Sequence, residues 1–182
     1  MVSFADKLSI LRIILVPIFV SSLIYSKSHD YFRYLAIGVF FLAMTSDFLD
    51  GLVARIKKEK SEIGKVIDPL ADKMLLVIAF VSLKLLNFNI PLWVVLVVVS
   101  RDFIILLGIV ILHFLKIEVP IFPTIWGKLT TFFQMLTVLT VLMNVRFSFL
   151  IWNLAVIFTL ISGIGYIKRG ISCLSLAEYK AK

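Results

Sequence analysis

Residues 47–72 read DFLDGLVARIKKEKSEIGKVIDPLAD, and this stretch decides the fold. It sets four aspartates, Asp47, Asp50, Asp68 and Asp72, at the inner ends of two apolar runs joined by a short basic connection. Asp47 and Asp50 are three residues apart and Asp68 and Asp72 four apart, so on helices each pair occupies one face and the two faces can converge. A carboxylate left alone in hydrocarbon costs several kcal/mol, so four of them demand a partner.

Working outward, the chain has 182 residues, of which 61% are hydrophobic and 16% charged, with a mean hydropathy of +1.07. Soluble domains carry about 45–50% apolar and about 25% charged residues, so the solvent implied here is a bilayer. A spanning helix needs about 20 apolar residues, which leaves room for about six spans and no separate soluble domain. Apolar runs recur at 8–24, 34–48, 69–86, 92–115, 131–145 and 149–167. The reading is all-α: one integral membrane domain over residues 1–182 with six transmembrane helices. The second and fifth runs need flanking residues to complete a crossing. No signal-peptide order is present at the start, where Pro17 interrupts an apolar run, so that segment is read as retained. Cys173 is the single cysteine, which excludes an intramolecular disulfide, and no C-x-x-C pair is present to suggest a redox or zinc site.

The basic residues set an orientation. Arg55, Lys57, Lys58, Lys60 and Lys65 crowd the connection between the second and third runs, whereas the opposite loops hold Lys27, Arg33 and Arg146. The five-charge connection is expected to be cytoplasmic, with both termini on the same side and the acidic cluster at the cytoplasmic membrane face. The net charge of +8 is then matched by anionic lipid headgroups. A nucleic-acid partner is not expected, because no basic, aromatic-bearing surface on a soluble fold is present.

Four converging carboxylates suit hard divalent cations such as Mg2+ or Mn2+, which prefer oxygen and bridge carboxylates to phosphates; Ca2+ has the same ligand taste. Gly51, Ala54 and Gly64 let a bulky ligand approach the backbone, and Arg55 offers a guanidinium to a pyrophosphate. Two other readings stand beside this one. The acids could be ion-paired with neighbouring Lys and Arg at the water interface, or they could line the cation path of a channel or transporter. Their clustering near one face argues against a through-path.

Taken together, Asp47, Asp50, Gly51, Ala54, Arg55, Gly64, Asp68 and Asp72 spell D-x2-D-G-x2-A-R-x8-G-x3-D-x3-D. This pattern resembles the signature of the CDP-alcohol phosphatidyltransferases, a family of integral membrane enzymes. The resemblance implies a six-helix membrane fold, usually a homodimer, that moves a phosphatidyl group from a CDP-linked lipid to an alcohol. It implies that Asp47, Asp50, Asp68 and Asp72 hold two metal ions, Mg2+ or Mn2+, with Asp47 and Asp68 bridging and Asp72 also acting as general base. It places Gly51, Arg55 and Ser61 at the cytidine diphosphate moiety, Ser61 in a loop where serine commonly serves turns.

The acceptor alcohol is read from two further segments. Ser100-Arg101-Asp102 lies inside the fourth run, where Arg101 is either half of a self-neutralising pair or an anion-binding group held by a partner. Pro123 to Gln134 reads PTIWGKLTTFFQ and gives Lys128, Thr130, Thr131 and Gln134 a polar helical start, which serves either an anion or a cap. Both segments resemble the phosphatidylglycerophosphate synthase branch and, more distantly, the cardiolipin synthases. Arg101 and Lys128 would then receive an anionic acceptor, glycerol 3-phosphate, with phosphatidylglycerol as the alternative. At the start of the chain Ser9 and Arg12 keep the branch's hydroxyl and arginine, while its Pro-Asn is missing. Past Met135 the sequence reads as generic spanning helix, and His29 and His113 have no ligand-like spacing.

Overall fold

The computed structural model describes the backbone of residues 4–57, 64–114 and 125–181 and the side chains of residues 10–46, 73–108 and 125–170. Among them are six helices and no strand: α1 (Phe4–Tyr25), α2 (Asp30–Lys57), α3 (Gly64–Leu85), α4 (Leu92–Phe114), α5 (Ile125–Leu142) and α6 (Ser148–Ala181). Each expected apolar run lies within or largely overlaps one helix. The helices outrun the apolar stretches, α2 reaching 28 residues and α6 34 residues. Polar residues continue a helix readily once backbone hydrogen bonding is established, so hydropathy marks the lipid-facing length and not the helical length. By length and composition, Ile125–Leu142 and the Ser148–Gly170 part of α6 can cross a membrane.

The chain divides into two compact units, one of residues 1–90 with 138–145, the other of residues 91–137 with 146–182. In the first, α1 packs against both α2 and α3. Its buried face repeats every three to four residues: Arg12, Phe19, Ser22 and Leu23 on α1, Ala36, Val39, Phe40 and Ala43 on α2, and Leu75, Leu76, Ala79, Phe80 and Leu83 on α3. The Phe19 and Phe40 rings meet with centroids 5.4 Å apart. Two buried hydroxyls return to their own helices, Ser22 Oγ to the Ile18 carbonyl at 2.8 Å and Ser46 Oγ to the Leu42 carbonyl at 2.8 Å.

The ends of α3 and α5 are finished alike. Asn87 and Asn144 take left-handed backbone conformations, with φ of 55° and 53°. Phe88 N–H donates to the Leu83 carbonyl at 2.9 Å and Asn87 N–H to the Lys84 carbonyl at 3.0 Å. Val145 N–H donates to Thr140 at 3.0 Å and Asn144 N–H to Val141 at 3.1 Å, so both helices close on a Schellman motif with asparagine where glycine is commoner. Arg33 Nε donates to the Leu142 carbonyl at the end of α5, and its guanidinium lies 5.9 Å from the Phe88 ring centroid. A cation at a helix C-terminus is favoured by the backbone dipoles.

In the second unit α4 packs on α6. Its outer surface is apolar: Leu96, Phe103, Ile104 and Leu107 of α4 and Ile157, Leu160, Ile161 and Ile164 of α6 are exposed. Faces of this kind are matched by lipid and not by water.

Candidate active site

The aspartates of the 47–72 stretch fall where α2 ends and α3 begins. Asp47 and Asp50 lie in the last three turns of α2, and Asp68 and Asp72 lie in the first three turns of α3. Their side chains, with those of Gly51's neighbours and of Arg55, lie outside the described residues, as does Ser61 altogether. Helix register still places the four positions. Seven residues make two turns, so position 47 continues the buried line of Phe40, and position 50 that of Ala43. On α3, position 68 continues the line of Leu75 and position 72 that of Ala79. All four acid positions therefore extend faces that are buried further along their helices.

Arg12 sits on the same footing. It precedes Phe19 by two turns on the buried face of α1 and is 1% exposed. Since α1 and α2 run antiparallel through a tight turn at residues 26–29, stepping about 10 Å from the Phe19–Phe40 contact along both helices brings Arg12 level with position 47. The one arginine of the first helix is thus buried at the depth where the acidic stretch starts.

The acceptor segments turn out differently. Arg101 is 8% exposed and Asp102 1%. Arg101 Nη1 donates to Asp102 Oδ1 at 2.6 Å and Nη2 to Ser162 Oγ of α6 at 2.6 Å. Its guanidinium also stands 5.6 Å from the Tyr166 ring centroid. Arg101 and Asp102 thus form a self-neutralising pair, and Ser162 and Tyr166 hold the arginine from α6. At the start of α5, Lys128 is exposed, but its polar neighbours are engaged within the fold. Thr130 Oγ1 donates within reach of the carbonyls of Trp126 and Phe158, each 2.9 Å away. Thr131 Oγ1 donates to the Gly127 carbonyl at 3.2 Å, and Gln134 Nε2 to Thr159 Oγ1 at 3.2 Å. These groups fasten α5 to itself and to α6, and of this polar start Lys128 is the exposed side chain.

The sequence reading foresaw α6 but missed its polar stripe. Thr159, Ser162, Gly163 and Tyr166 form a stripe at three-to-four spacing in what reads as a featureless apolar run. Thr159 and Ser162 are buried. The signal was the period, since small and hydroxyl residues recurring on one face are how membrane helices approach closely.

A model of the CDP-alcohol phosphatidyltransferase family matches residues 2–161. The chain belongs to this family and is by class a CDP-diacylglycerol-dependent phosphatidyltransferase, an enzyme of phospholipid biosynthesis, which sets aside the channel reading. It is 33% identical over 175 residues to the probable phosphatidylglycerophosphate synthase of Mycobacterium tuberculosis, covering 92% of this chain and 81% of that one. It is 31% identical to the CDP-diacylglycerol--glycerol-3-phosphate 3-phosphatidyltransferase of Bacillus subtilis, covering 98% of this chain and all of that one. With human cardiolipin synthase (CMP-forming) it shares 34% identity over 116 residues, 63% of this chain and 36% of the human one.

Proposed function

We propose that this chain transfers the phosphatidyl group of CDP-diacylglycerol to sn-glycerol 3-phosphate, giving phosphatidylglycerophosphate and CMP. The observation that carries the reading is the complete eight-position motif at the end of α2 and the start of α3, within a chain that matches relatives of this named activity nearly end to end. The cardiolipin synthase likeness covers a smaller part of both chains, so phosphatidylglycerol is the second choice of acceptor.

In this reading the chain is a multi-pass protein of the cytoplasmic membrane, a single domain with six spans, both termini cytoplasmic, working as a homodimer. Asp47, Asp50, Asp68 and Asp72 hold two divalent ions, Mg2+ or Mn2+. The fit rests on donor chemistry: four carboxylates at helical spacing, at positions that continue faces buried further along α2 and α3, are the hard oxygen set such ions require. When bound, the ions supply Lewis-acid stabilisation of negative charge on the phosphates. Gly51 and Arg55, with Ser61, hold the cytidine diphosphate, Gly51 by leaving room and Arg55 by its paired donors. Arg101 and Lys128 receive the phosphate of the acceptor. Asp72 takes the proton from the acceptor hydroxyl as its oxygen attacks the phosphatidyl phosphorus; the bond to CMP breaks, and CMP leaves with the electron pair. The motif singles out no nucleophile for a covalent intermediate, so attack is direct.

The test is CMP release by the purified chain in detergent with CDP-diacylglycerol and Mg2+, offering glycerol 3-phosphate, phosphatidylglycerol, inositol phosphate and serine separately. Release with glycerol 3-phosphate alone is expected. Release with another acceptor alone would overturn the choice of alcohol while keeping the transfer chemistry, and no release with any would overturn the reading.

A further inference from the structure

Arg101 is buried in the second unit, on α4, and Ser162, Gly163 and Tyr166 of α6 lie against it. A guanidinium has five N–H donors in a fixed plane. One on Nη1 goes to Asp102 and one on Nη2 to Ser162. These two bonds come from different directions, one from the arginine's own helix and one from α6, so together they fix how the plane is turned. The Tyr166 ring at 5.6 Å restrains it further. The aliphatic stem passes close to α6: a Cβ at Gly163 would stand 3.4 Å from Arg101 Cγ, at van der Waals contact.

What this hold leaves over points to a ligand. Arg101 Nε is fully buried and has no acceptor among the described residues. A buried donor without an acceptor is costly, and a charged one more so. The side chain is nonetheless braced in that state by three neighbours, Asp102, Ser162 and Tyr166. Asp102 offsets the charge, which makes the arginine tolerable in an apolar setting, while its unclaimed donors stay available to an oxyanion.

We propose that Ser162 is a positioning residue of this enzyme: with Tyr166 it holds the Arg101 guanidinium in the orientation that receives the phosphate of the acceptor, so that α6 sets acceptor affinity without touching the acceptor. The proposal rests on Arg101 being an acceptor ligand. The ligand chemistry is a phosphate oxygen, which either free glycerol 3-phosphate or the phosphodiester of phosphatidylglycerol can bring.

The experiment compares Ser162→Ala, Ser162→Thr and Arg101→Gln with the unaltered chain in the CMP-release assay, varying glycerol 3-phosphate, phosphatidylglycerol and CDP-diacylglycerol in turn. Ser162→Ala is expected to raise the KM for glycerol 3-phosphate roughly tenfold, as for loss of one bond to a charged group, with kcat and the KM for CDP-diacylglycerol within about twofold. Ser162→Thr, which restores the hydroxyl, is expected to recover most of the loss. In the doubly substituted chain, removing Ser162 on top of Arg101→Gln should add nothing further. An unchanged glycerol 3-phosphate KM in Ser162→Ala, with a raised one in Arg101→Gln, overturns the role of Ser162 and leaves the acceptor reading standing. An unchanged KM in Arg101→Gln overturns both. A shift seen with phosphatidylglycerol alone upholds Ser162 and changes the acceptor. Should Ser162→Ala fail to fold, Tyr166→Leu is expected to raise the same KM about threefold, with Tyr166→Phe returning it, as for a cation–π contact; no change in Tyr166→Leu then overturns the proposal.

Discussion

Where α1 meets α2 the facing groups are Phe19, Leu23, Ala36, Phe40 and Ala43, carbon against carbon, and the buried hydroxyls of Ser22 and Ser46 bond to their own helices. Where α6 meets α4 and α5 the facing groups are Ser162, Thr159, Arg101, Thr130 and Gln134, and their hydrogen bonds cross from helix to helix. The apolar contact gains from close packing alone, because in lipid the hydrophobic effect gives no preference for a neighbouring helix over an acyl chain. The polar contact is directional: it defines register and rotation, and so suits a part of the molecule that has to aim a charged group. The acidic stretch continues the apolar faces, while the candidate acceptor arginine is set within the polar ones.

The largest test of this contrast is chemical. Asp72→Asn is expected to lower turnover by at least a hundredfold, up to about ten-thousandfold, since a general base is removed together with an ionic ligand. Its thermal unfolding should stay near that of the unaltered chain, and wild-type-like CMP release would break the assignment. Next comes packing. Phe40→Ala opens a void beside Phe19 and is expected to destabilise the first unit by about 3–5 kcal/mol, an estimate from soluble cores, read as a lower melting temperature in detergent. Lys128→Ala should raise the KM for glycerol 3-phosphate several-fold and leave the melting temperature alone, because the lysine is exposed; an equal effect on the KM for CDP-diacylglycerol would remove it from the acceptor side. The smallest effect is expected of Gln134→Leu. Its Oε1 is buried with no acceptor role filled among the described residues, and interhelical hydrogen bonds in membranes average about 0.6 kcal/mol, so a melting-temperature change near zero is expected. A loss as large as that of Phe40→Ala would show the polar seam to be the main source of stability, against the contrast drawn above.

Much of this was legible in the residues. The four aspartates declared themselves because charges are rare in an apolar chain and theirs repeat at helical spacing, and the same apolar runs announced six helices. Helix ends were less visible: the lengths of α2 and α6 depend on polar turns, on which hydropathy is silent. The α6 stripe was missed for a related reason, since Thr159, Ser162 and Gly163 scarcely alter the hydropathy of their run, and their meaning comes from Arg101, 61 residues away from Ser162 in sequence. Thr130 and Gln134 were seen as ligand donors because a sequence shows that a donor exists and not where its hydrogen bond goes.

The bond from Arg33 to the last carbonyl of α5 has a consequence in time. The two residues are 109 positions apart, and at about 5–20 residues per second on the ribosome the carbonyl is made roughly 5–20 s after the arginine. Throughout that interval the α1–α2 hairpin exists without this fastening, and of Arg33's two partners the Phe88 ring is the one made first.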